Sequence, residues 1–246
     1  MTDEQYIDAI GRGHFLYWDM LGNLRGMTNH REGNLRWLSG EIYYNYYCDA
    51  DTVESVVQRM ISNEIPRNLS FFTTSNAASP VELFQSTGLF SEAIITTGMA
   101  HELLDTDLPK PDKRLNLFRV REITQLSMAG SILNTVFEYR LFSFAHFTEM
   151  MENTGQFFYL AEYDGLPVGA CMAQHGDCFV NITWVGVLPG YRKLGIAGYL
   201  IQLAERDGIQ QAKTIGTLHA FPEAIGAYQR VGYRPYCMSK SLELKN

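Results

Sequence analysis

Val185-Gly186-Val187-Leu188-Pro189-Gly190-Tyr191-Arg192-Lys193-Leu194-Gly195-Ile196-Ala197-Gly198-Tyr199 is the stretch on which the fold turns. An apolar strand runs up to Pro189, a short basic turn follows, and a helix begins at Leu194. A helix N-terminus leaves backbone N–H groups without internal partners, and the helix dipole favours negative charge there. Gly195 keeps a Cβ away from an approaching ligand, Ala197 is the next smallest choice, and Arg192 and Lys193 add positive charge. A pyrophosphate suits such a turn. Ala197, Leu200, Ile201 and Ala204 recur at helical spacing and would dock the helix on a sheet. Taken alone, the turn is read equally well as a packing corner with solvated basic residues, so its surroundings must decide.

Upstream, Leu115 to Val120 reads as a strand, and Ile123 to Phe137 and Phe142 to Asn153 as helices. Phe157 to Tyr163, Asp164-Gly165 and Val168 to Ala173 form a hairpin pattern with a D-G turn. Phe179 to Leu188 is a long strand. The helix from Leu194 is expected to run to Arg206, with Gly208 as its stop. Thr214 to Leu218, Glu223 to Arg230 and Tyr233 to Leu244 then read as strand, helix and strand.

The first half reads separately. A helix is expected near Asp3 to Met20, followed by an irregular approach. Strands are expected at Ile42 to Tyr47, Leu69 to Thr74 and Ala93 to Leu104. One helix opens at Asp51, with Val53, Val56, Val57, Met60 and Ile61 as its buried stripe. Another starts at Ser79-Pro80-Val81-Glu82, a capping box with proline at the first helical position, and stops at Gly88. Leu108-Pro109-Lys110-Pro111-Asp112-Lys113-Arg114 combines two prolines with a charge run and reads as a linker. It divides the chain into an expected α/β unit over residues 1–107 and a second unit over 115–246.

The bulk numbers exclude several classes. At 246 residues there is room for one large or two small cores. Twenty basic against 27 acidic residues give a net charge of −7, which argues against wrapping nucleic acid. No apolar run is long enough to span a bilayer, and the start Met-Thr-Asp-Glu-Gln lacks the features of a leader peptide, so a cytoplasmic protein is expected. Cys48, Cys171, Cys178 and Cys237 form no C-x-x-C pair and read as free thiols. The histidines show no metal spacing, so no metal is expected.

Arg192-x-x-Gly195-x-Ala197 after a strand ending Val187-Leu188-Pro189 resembles motif A of the GNAT superfamily of acyl-CoA N-acyltransferases. Ala224-Ile-Gly-Ala-Tyr228-Gln-Arg-Val-Gly-Tyr233 resembles the motif that follows it in that family. The resemblance covers Leu115 to the C-terminus and implies an α/β (α+β) fold, a mixed central sheet flanked by helices. The first half resembles a reduced copy of the same topology without a cofactor motif, as in tandem members.

The resemblance implies a transferase that moves an acetyl group from acetyl-CoA directly to a primary amine, on a small molecule or a peptide. A homodimer is compatible with this reading; nucleic acid and membrane are not expected as partners. It places Val185 and Val187 along the pantetheine arm through main-chain atoms. It places Arg192, Lys193, Gly195, Ile196 and Ala197 around the pyrophosphate. It makes Tyr228 the group that protonates the departing thiolate. Phe221 stands where the family usually has asparagine. The usual acid on the motif-A strand is missing from Asn181-Ile-Thr183-Trp184. His219 is then the first candidate for general base, with Glu162 and Asp177 behind it. The alternative reading is a CoA-binding sensor or scaffold that has lost turnover.

Overall fold

The computed structural model describes residues 1–33, 35–40, 44–47, 53–74, 80–105, 111–138, 142–153 and 155–245. Cys48, the capping Ser79 and Leu108 to Lys110 of the expected linker lie outside them. Eleven strands among the described residues form one mixed sheet. In chain order they are β1 (Met27–Glu32), β2 (Leu35–Gly40), β3 (Tyr44–Tyr47), β4 (Asn68–Thr74), β5 (Phe90–Glu102), β6 (Leu115–Arg119), β7 (Gln156–Tyr163), β8 (Leu166–His175), β9 (Phe179–Val187), β10 (Ile215–Ala220) and β11 (Arg234–Leu244). The helices are α1 (Asp3–Gly22), α2 (Val53–Ile61), α3 (Pro80–Ser86), α4 (Ile123–Val136), α5 (Phe144–Glu152), α6 (Ile196–Ile209) and α7 (Ile225–Gln229). This is the expected mixed sheet flanked by helices. No helix among the described residues is long and apolar enough to cross a membrane.

The spatial order is β1-β2-β3-β4-β11-β5-β10-β9-β8-β7-β6. The division at residues 1–107 and 115–246 is drawn by sequence, and hydrogen bonding crosses it. β5, the last strand of the first half, lies between β10 and β11 and pairs antiparallel with both. β11, the last strand of the chain, pairs with β4. The stretch expected to be irregular contains the β1–β2 hairpin. Its outer strand, Met-Thr-Asn-His-Arg-Glu, is polar and mostly exposed, as an edge strand tolerates, so it carries no apolar alternation.

On one face α1, α4 and α5 pack on β7 and β8 through Trp18, Leu21, Leu133, Phe147, Phe158 and Met172. On the other, α6 buries Ile196, Leu200, Ile201 and Ala204 against Tyr159, Val168, Val180 and Leu218. The D-G turn is as expected, with Asp164 and Gly165 both left-handed at φ 51° and 76°. Helix α1 begins with a capping box in which Thr2 and Gln5 exchange side-chain and backbone hydrogen bonds.

Gly208 is not the stop expected for α6. The helix continues to Ile209, and a Cβ on Gly208 would lie 2.1 Å from Val180 Cγ2. The glycine is there for close approach to β9. In an open helix Gly→Ala stabilises by about 1 kcal/mol. Here the stiff, fully buried Val180 cannot give way. Gly208→Ala is therefore expected to destabilise by roughly 1–3 kcal/mol, read as a lower denaturant midpoint. A stabilised variant would contradict this packing.

Candidate active site

The site begins with a register fault. Across β8 and β9, Cys171 faces Val185 and Ala173 faces Ile182, so β9 carries one residue more than β8 in this interval. This is a β-bulge at Thr183-Trp184, opposite Met172. Thr183 Oγ1 donates to the Met172 carbonyl (3.0 Å) within it. On the other side, the parallel pairing of β9 with β10 ends at Ile182 and Leu218, although β9 runs on to Val187 and β10 to Ala220. The two central strands part there and leave an opening between them.

The bulge also resets which face each side chain takes. Val185 and Val187 are half-buried with the α6 cluster, whereas Trp184 joins the α4–α5 cluster on the opposite face. Trp184 Nε1 donates to the Tyr17 hydroxyl of α1 (2.7 Å), and the rings of Phe137 and Phe142 meet it edge-on. Tyr139 to Leu141 lie outside the described residues.

Beyond β9, Pro189–Tyr191 form a 3₁₀ turn that leads to α6. Arg192 is exposed, and its Nε donates to the Val187 carbonyl (3.1 Å), folding the guanidinium back over the end of β9. Lys193 has a left-handed backbone (φ 67°), an uncommon conformation for a residue with a Cβ. Gly195 is the N-cap of α6 with φ 77°, and no side chain caps the helix. Sequence reading gave Gly195 a steric reason; the backbone supplies a conformational one. The Ile196 side chain is buried in the core, so only its backbone amide can serve a ligand. Ala197 is half-buried on the first turn.

Tyr228 lies on α7, on the α6 face. Burial, with a smaller effect of the Cys171 thiol, pushes its phenol up to about 12. Phe221, where the family usually has asparagine, is exposed.

His219 lies inside β10, one residue past the last pair with β9. Burial pushes its imidazole down to about 4. The His14 ring of α1 lies 5.0 Å away, and Thr96 Oγ1 is 3.4 Å from His219 Nδ1. His14 was not a sequence candidate. It lies in the half without a motif, and its one local signal is the spacing to Trp18, whose indole N–H donates to His14 Nε2 (3.0 Å). Burial, then the neighbouring His219, pushes His14 well below the ordinary value.

The fallback bases do not join this group. Glu162 is on β7, three strands from β10, bonded to Asn116 of the edge strand β6. Asp177 precedes β9, at the end away from the opening, and pairs with Arg12. Asn181, the first residue of the stretch that lacks the acid, is buried in an amide network. Its Nδ2 donates to the Gly13 carbonyl (3.0 Å) and to Gln174 Oε1 (3.2 Å), and its Oδ1 accepts from Thr217 (3.2 Å).

The two imidazoles make stability depend on pH. Both are held below the unfolded value near 6.5, so the unfolded chain binds more protons as pH falls through that value toward about 4. Their contribution is fully present above about pH 6.5 and is lost on acidification. His175, also lowered by burial, adds in the same direction. The melting temperature is expected to fall from pH 7 to pH 5, with a shallower fall in His219→Gln. An unchanged slope in the variant would contradict the neutral, buried imidazole.

Comparison with known proteins bears on the fold and on one segment of the chain. Residues 154–235 match the family model described as an acetyltransferase (GNAT) domain. No curated protein matches the chain. A GCN5-related N-acetyltransferase from Kribbella flavida superposes with a TM-score of 0.68 at 16% identity, covering 97% of this chain and 96% of that one. One from Sphaerobacter thermophilus gives 0.62 at 18% identity, over 77% and 64%. A tandem GNAT protein from the clavulanic acid biosynthesis pathway gives 0.62 at 14% identity, over 91% and 86%. At these identities the structures speak to the fold, and the family is carried by one segment: residues 154–235 match a GNAT acetyltransferase domain.

Proposed function

We propose that the chain transfers an acetyl group from acetyl-CoA to a primary amine by direct attack. The observation that carries this is the opening between β9 and β10, which leads straight into the uncapped N-terminus of α6. The pantetheine arm would lie along Val185 and Val187 and pair with their main chain. The pyrophosphate would meet the amides of Gly195, Ile196 and Ala197, with Arg192 and Lys193 neutralising its charge. The chain would be a tandem member whose first half supplies β5 and α1 rather than a second cofactor site.

In the transfer, the amine nitrogen forms a bond to the carbonyl carbon and the C–S bond breaks with its electron pair going to sulfur. One N–H proton passes to a base on the acceptor side, and the sulfur takes up a proton in turn. Holding the two reactants together and polarising the carbonyl supply most of the acceleration. Tyr228 donates a hydrogen bond to the developing thiolate. A phenol near 12 gives up its proton to a thiolate near 8.5 only with a penalty above 10³-fold, so a strengthening hydrogen bond, not full transfer, is its role.

A second reading, a CoA-binding sensor or scaffold, draws on the absence of an acid from Asn181-Ile-Thr183-Trp184 and on Phe221 in place of the family's usual asparagine. Free-thiol release from acetyl-CoA with a panel of amines separates the two.

Acetyl-CoA is expected to bind with a micromolar Kd in calorimetry and to stabilise by roughly 2.7 kcal/mol at a hundredfold excess over Kd. Gly195→Val is expected to remove that heat. The left-handed N-cap also predicts a loss of about 1–2 kcal/mol of stability. Gly195→Ala, with the same strain and less bulk, separates the effects; wild-type binding by the valine variant would contradict the pyrophosphate assignment. Tyr228→Phe is expected to lower turnover by roughly 10²-fold with acetyl-CoA affinity nearly unchanged. Wild-type turnover would return Tyr228 to core packing.

A further inference from the structure

The acetyl-transfer reading assigns the cofactor to one end of the opening but leaves the acceptor's proton without a destination. On β10, Leu218 and Ala220 point into the α6 core, and Thr217 reaches the Asn181 network under α1. By strand alternation His219 shares the α1 face with Thr217, whereas Tyr228 stands on the α6 face. The leaving-group contact and the imidazole thus lie on opposite faces of the sheet, with the gap between them.

Helix α1 is held against that gap. A Cβ on Gly13 would lie 2.9 Å from Asn181 Cγ, so only glycine lets the helix come this close. Asn181 Nδ2 grips the Gly13 carbonyl. His14, the next residue, is thereby set beside His219, ring centroids 5.0 Å apart at 48°. Trp18 occupies His14 Nε2 as a donor, which leaves the proton of the neutral ring on Nδ1. The Thr96 hydroxyl of β5, itself neutral, lies 3.4 Å from His219 Nδ1.

We propose that His14 and His219 act as one proton-accepting unit on the acceptor side, with His219 touching the nucleophile and His14 acting through it as a positioning residue. Two imidazolium charges this close in a buried setting repel, so the pair holds one proton at a time. When the nitrogen bonds to the acetyl carbon, its N–H proton goes to His219. The imidazolium releases it to solvent as the next substrate enters, and the thiolate is protonated from solvent. The inference rests on the acetyl-transfer reading and adds a residue from the first half to it.

The first test needs no acceptor. Imidazole resonances of the full chain are followed by NMR against pH in the wild type and in His219→Asn. The His14 midpoint is expected to rise in the variant, because the neighbouring charge is gone; an unmoved midpoint overturns the unit. The second test is a double-mutant cycle on thiol release, with acetyl-CoA calorimetry as the control for folding. His14→Asn and His219→Asn are each expected to lower kcat by roughly 10²-fold with KM for acetyl-CoA within about twofold, and the double variant to lose no more than the worse single. His14→Gln replaces His14→Asn should that variant fail to fold. Additive losses in an active enzyme overturn the pair alone. A wild type that binds acetyl-CoA but releases no thiol with any amine removes the transfer reading, and this inference with it.

Discussion

One surplus residue in β9 governs the site. Between its pairs with Ala173 and Cys171, β9 must fit two residues opposite Met172. A regular strand would keep Asn181, Thr183 and Val185 on one face. The bulge breaks this phase: Asn181 points to α1, Trp184 also faces that side, and Val185 and Val187 face α6. The pairing of β9 with β10 ends at Ile182, immediately before the bulged residues.

The opening lowers the number of bonds holding the sheet centre, and the Asn181 amide offsets part of that. It ties β8, β9, β10 and α1 together one residue before the strands part. Each bond is worth about 1 kcal/mol net, but a buried partner left unsatisfied costs about 1–3 kcal/mol. The network therefore acts more as a constraint on geometry than as a source of stability. It allows one placement of α1, and that placement sets Tyr17 against Trp184 and His14 against His219. An aspartate at position 181 could not donate to the Gly13 carbonyl and the Gln174 oxygen.

What sequence makes legible follows from locality. The β7–β8 hairpin, the basic turn and α6 carry their signals within a few residues: a D-G turn, a glycine needing positive φ, an apolar helical stripe. The β1–β2 hairpin was missed because Thr28 to Glu32 form a solvated edge with nothing apolar to alternate. Gly208 was misread because a glycine at a helix end usually stops it, and only the approach of Val180 shows otherwise. His14 carries no local signal of its partner, since its meaning comes from contact with a strand at the far end of the chain.

The strand exchange explains why the halves belong together although the cofactor motif sits in one. β5 provides the partner for β10 on the side away from β9, and for β11 along most of its length. Where it crosses α6, His101 of β5 and Tyr233 both donate to the buried Glu205 carboxylate, each at 2.7 Å. Gly216 leaves the room for this cluster: a Cβ there would stand within 3 Å of all three side chains. A buried carboxylate deprived of one donor is strongly unfavourable, so the first half is bound by a satisfied charge as well as by ladder bonds. Helix α6 is thus anchored near its C-terminal end by the first half. The geometry at the basic turn depends on residues that no motif in the second half contains.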